Sequence, residues 1–98
     1  MHDFSEKNSN NAIITVVGTD HVGIIAKVCS FLAEHNINIE DINQTILSGN
    51  FIMLMMVDFS KYTGTLEALK HDLSVIGNSM NVSISMMHEK VFSEMHRI

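Results

Sequence analysis

The chain has 98 residues, 46% of them hydrophobic and 17% charged, with a formal net charge of −5. That suffices for one domain with a modest core and excludes an acidic disordered chain. The six Lys and Arg stand singly, so no basic stripe exists for direct nucleic-acid binding, and the longest apolar run, 51–57, is far too short to cross a bilayer.

Residues 1–11 are polar and aperiodic apart from Met1 and Phe4, which predicts a loose N-terminal tail. Residues 12–17, "AIITVV", are β-branched and read as a first strand ending at Gly18. The period then changes. Ile24, Val28, Phe31 and His35 share a helical stripe beside Ile25 and Leu32, predicting a helix over about 21–35. Asp20 is placed to cap its start, and Asn36 to close it in a left-handed conformation.

Residues 37–47 read as a second strand. Its apolar phase slips between Ile39 and Ile42, which predicts a bulge around Glu40 and Asp41. "SGN" predicts a hairpin with positive φ at Gly49 and Asn50, leading to a third strand over 51–59. Leu66, Leu69, Leu73 and Ile76 predict a second helix over 65–76, entered at Gly64 and left at Gly77-Asn78. Val82, Ile84 and Met86 alternate with Ser83 and Ser85 in a fourth strand, 81–87. Val91, Phe92, Met95 and Ile98 predict a C-terminal helical extension over 89–98.

The order βαββαβ predicts an α+β, ferredoxin-like fold: a four-stranded antiparallel sheet with two helices on one face and a short C-terminal helix. The third strand is apolar on both faces, so its second face needs a cover, from the C-terminal helix, a second subunit or both. Strands two and four are expected at the sheet edges, where unpaired backbone invites extension between subunits.

The chemistry-bearing residues point away from catalysis. Nothing resembles a nucleophile elbow, a C-x-x-C pair or an H-E-x-x-H helix. Cys29 sits mid-helix between Val28 and Ser30, reads as a small core residue and suits a reducing compartment. No two of the six histidines have i, i+3 or i, i+4 spacing, so no metal site is expected. No leader opens the chain, and a cytoplasmic location is expected. "GTDHVGI", 18–24, lacks both the Walker lysine and the G-x-G-x-x-G spacing. Gly23, read at about the third helical position, costs roughly 0.5–1 kcal/mol against alanine. It either lets a small anion reach the helix N-terminus or only relieves crowding.

The runs "VVGTDHVGIIAKV" (16–28) and "LAEHNINIEDINQT" (32–45), in the βαββαβ order, resemble the ACT domain family, small regulatory modules that bind amino acids. The likeness covers about residues 12–88. "DINQT" and the short final helix are similar to small stand-alone ACT proteins, formerly an uncharacterised family, which resemble the glycine cleavage system transcriptional repressor. The resemblance implies a homodimer with an eight-stranded sheet and an amino-acid effector held between subunits. Asp20, His21, Gly23 and Ile24 of one subunit would face Asn38, Ile39 and Asp41 of the other. The Gly23 and Ile24 N–H groups would take the carboxylate, Asp20 or Asp41 the ammonium, and Asn38 either end. His21 departs from the Lys, Arg or Ser often found there, and would either make the loop's charge pH-dependent or simply stand exposed. The implied protein is not an enzyme, needs no cofactor, and regulates a separate, unidentified partner. Ligand-free dimerisation or interaction is the alternative the family allows.

Overall fold

The computed structural model describes residues 10–19 and 23–95. Its elements are β1 (Asn11–Gly18), α1 (Ile24–Glu34), β2 (Asn38–Leu47), β3 (Asn50–Asp58), α2 (Leu66–Met80), β4 (Ser83–His88) and α3 (Glu89–Met95). The strands make one antiparallel sheet in the order β2-β3-β1-β4, the ferredoxin-like arrangement expected. β2 and β4 are its edges. β1 begins one residue earlier than predicted, with Asn11 opposite Asp58; the rest of the predicted tail, 1–9, lies outside the described residues.

Alternation sends Ala12, Ile14 and Val16 of β1, and Phe51, Met53, Met55 and Val57 of β3, to one buried face. Ile24, Val28 and Leu32 of α1 and Leu69 and Leu73 of α2 pack into the same core. Each such burial is worth about 1.5–3 kcal/mol. His35, assigned by period to this stripe, instead caps the end of α1. Its Nδ1–H donates to the Phe31 carbonyl at 2.9 Å, and its ring lies 4.3 Å from that of Phe31. Asn36 takes the predicted left-handed φ of 60°. Asn36 N–H then bonds Ala33 O and Ile37 N–H bonds Leu32 O, closing the helix in a Schellman turn.

The predicted bulge is present: Ile39 pairs with Val57 and Asp41 with Met56, leaving Glu40 outside the β2–β3 ladder. In the hairpin it is Ser48 and Gly49, not Asn50, that take positive φ (54° and 81°), while Asn50 pairs with Leu47 as the first residue of β3. A two-residue turn needs both central residues left-handed to match the strands' twist.

α2 departs from expectation at both ends. Thr65, not Gly64, is its cap, with Oγ1 accepting Ala68 N–H at 3.1 Å. The helix runs through Gly77-Asn78 to Met80 and is closed by Asn81 at φ 58°. Gly77 marks a crossing rather than an end. A Cβ there would lie 2.8 Å from Val82 O and 3.1 Å from Ile84 Cγ1, so only glycine lets the chain fold back over the helix.

The second face of the sheet is partly covered from within. α3 packs on β1 and β4 and brings Phe92 over Ile13, Leu54 and Met56. Ile13 is reduced to 7% exposure, while Leu54, farther along, keeps 38%.

Candidate functional site

The helix-start side of the expected site is built by Gly23 and Ile24; Asp20 and His21 lie outside the described residues. Gly23 is not inside the helix, as the apolar period implied, but occupies its cap position at φ 78°. Left-handed backbone strains any residue with a Cβ. Space is not the constraint, since an added Cβ would meet only Met80 Cε, at 3.8 Å. Gly18, at the other end of the turn, has the opposite reason: a Cβ there would run into Val82 Cγ1. One glycine serves packing and the other backbone shape.

Among the described residues, no side chain caps the first turn of α1 and none in that turn is acidic. Its leading N–H groups have no intrahelical acceptor and carry the positive end of the helix dipole. Gly23 contributes its carbonyl inward, accepting Lys27 N–H at 3.0 Å. The Ile24 side chain is buried, so its backbone alone is available to a ligand.

Asn38, Ile39 and Asp41 lie around the β2 bulge. By register Ile39 shares the helix-covered face with Val57. Asn38 and Asp41 sit opposite Asp58 and Met56, on the other face. Asp41 Oδ1 accepts Ile42 N–H at 3.0 Å, and the residue lines a hollow of about 150 Å³ closed by Phe92.

Within one chain the two halves do not meet. Gly18 is level with Phe51 and Ile46, whereas Asn38 is level with Asp58 and Asn11. Seven residue steps of strand, about 24 Å at 3.4 Å each, separate those levels. A groove of about 300 Å³ between α1 and α2, bordered by Lys27, Glu34, Asp72 and Val75, lies apart from both halves. Sequence reasoning did not find this groove, whose α1 wall joins Phe31 of the apolar stripe to Lys27, Ser30 and Glu34. Among the described residues no three His, Cys, Asp or Glu side chains are grouped to hold a metal ion.

The ACT domain family model matches residues 10–87. The chain belongs to the ACT domain family. A UPF0237 protein of Bifidobacterium longum is 47% identical over 89 residues, covering 91% of this chain and 99% of that protein. An ACT domain protein from Streptococcus pneumoniae superposes with a TM-score of 0.77 at 38% identity, over 87% of this chain and 96% of its own. A formyltetrahydrofolate deformylase from Pseudomonas syringae pv. tomato matches at TM-score 0.71 and 24% identity. It covers 79% of this ACT domain but only 26% of the deformylase, and shows the shared fold alone. No helix among the described residues of this ACT domain is long and apolar enough to cross a membrane.

Proposed function

We propose that this ACT domain is a cytoplasmic regulatory homodimer that holds an amino acid, or a similar small carboxylate, between its subunits. Binding would be relayed to a separate protein, and the chain itself performs no catalysis. The carrying observation is Gly23, whose left-handed backbone starts α1 with a first turn that no described side chain caps. Carboxylates are the natural ligands of such a turn.

The distance between the halves supports a second subunit. Antiparallel pairing of the β2 edges turns one copy end for end, so its Gly23 end comes level with the Asn38 end of the other. β2 suits that role, since of its ten residues only Ile39 is not exposed. At the bulge Glu40 is out of the ladder, which frees peptide groups next to Asn38 and Asp41 for the ligand's ammonium.

Thermal melting against the twenty amino acids tests this reading. A ligand at about 100 times its Kd adds roughly 2.7 kcal/mol, on the order of 10 °C for a domain of this size. Gly23→Asn, which tolerates left-handed backbone but fills the turn, should abolish the shift while the protein stays folded and dimeric. A flat panel over a stable dimer would favour the other reading, a ligand-free interaction module, which the exposed β2 edge also supports.

A further inference from the structure

α3 leaves the end of β4 and crosses the sheet towards β2. It packs on β1 and β4, and Phe92 closes its hollow over Ile13 of β1, Leu54 of β3, and Asp41 and Asn43 of β2. The hollow under Phe92 therefore extends to the far edge. Met95 is one turn further on, about 4.5 Å along the helix axis, close to the strand spacing of about 4.8 Å. It is 64% exposed, and Val91 is exposed beside it. A seven-residue helix is too short to be stable alone, yet it holds two apolar side chains in water.

β2 carries an apolar group with no cover of its own. Leu47 is 62% exposed and pairs with Asn50. Alternation puts it on the same face as Asp41, Asn43 and Thr45, the face that α3 crosses. The regular part of β2 runs from Asp41, after the bulge, to Leu47, before the hairpin turn, and its midpoint is Gln44. Two copies pairing β2 to β2 about a two-fold axis at Gln44 place Leu47 of one opposite Asp41 of the other. That position borders the hollow under the second copy's Phe92.

We infer that α3 is a clasp between subunits, with Val91 and Met95 of one copy covering Leu47 of a second. The inference rests on the β2-paired homodimer proposed above. It accounts for both exposed groups with one symmetric contact made twice per dimer.

The test is a disulfide between Leu47→Cys and Met95→Cys in a Cys29→Ser background. Within one chain, Leu47 is at least about 14 Å along β2 from the Asp41–Asn43 level, beyond the roughly 7 Å that a disulfide spans. With Met95 near that level, a bond between the two cysteines joins two chains and reads as a covalent dimer on non-reducing electrophoresis. Mild oxidation should convert the doubly substituted protein to a covalent dimer and leave each single-cysteine variant uncrosslinked. Met95→Glu should also raise the dimer Kd at least about tenfold, since symmetry removes the contact twice. A protein that sediments as a dimer but fails to crosslink, or whose Kd is unmoved by Met95→Glu, overturns the clasp and leaves the dimer standing. A parent protein that sediments as a monomer at tens of micromolar overturns both.

Discussion

His88 Nδ1 accepts the backbone N–H of Lys90 at 3.1 Å, so the last residue of β4 caps the helix that follows it. The same ring meets Phe59 edge-on at 6.2 Å. His88→Ala removes a cap worth about 1 kcal/mol, and the loss should concentrate in α3. Hydrogen exchange should accelerate at residues 91–95 while the β1 and β3 amides keep their protection. His88→Asn supplies another acceptor and should retain most of that protection. Equal acceleration in both variants would show that the cap is not what holds α3.

Gly23 at φ 78° predicts a backbone cost rather than a steric one. Gly23→Ala should destabilise by about 1–2 kcal/mol, and Gly23→Asn by less, because asparagine visits left-handed backbone more readily. Each kcal/mol corresponds to about 4–8 °C in Tm for a domain of this length. Identical melting of the two variants would contradict the left-handed requirement.

Gly77→Ala reverses the usual rule. In a solvated helix the change gains about 1 kcal/mol. Here the new Cβ would press on Val82 O, which is backbone and cannot rotate away. A net loss of about 1–3 kcal/mol is expected, in the range of overpacked cores, and a urea midpoint measures it. A raised midpoint would mean that the α2–β4 crossing has room to move.

Thr65 holds the other end of α2 through Ala68 N–H. Thr65→Ala should cost about 0.5–2 kcal/mol and Thr65→Ser much less. Comparable urea midpoints for Thr65→Ala and the parent would remove the cap from the account.

The architecture was legible because period, punctuation and element order all point one way. The phase slip between Ile39 and Ile42 located the bulge, and Asn36 announced its own left-handed turn. The misreadings cluster at glycines, which serve several physical purposes with one letter. Gly77 looked like a stop and is a crossing; Gly23 looked helical and is a cap; Gly64 stood next to the true cap, Thr65. For Gly77 the reason lies in Val82, for Gly64 in Tyr62, and for Gly23 in its own left-handed backbone, none of which a periodic pattern shows. Of the candidate site, residue types marked only the helix-start turn, as a place for a small anion; the β2 half and the amino-acid ligand were implied by the family resemblance. The strand register is what puts about 24 Å between their levels in one chain. No local pattern carries that.

The bulge also has a consequence for how this chain tolerates insertions and deletions. Ile39, Asp41 and Ile42 face Val57, Met56 and Met55, three consecutive partners. Deleting Glu40 would join them into an unbroken ladder with every side chain on its present face. Deleting a residue from the middle of the 41–47 run would invert part of the strand, turning apolar groups outward and polar ones in. Length variation by one residue is therefore cheap at position 40 and costly a few positions later.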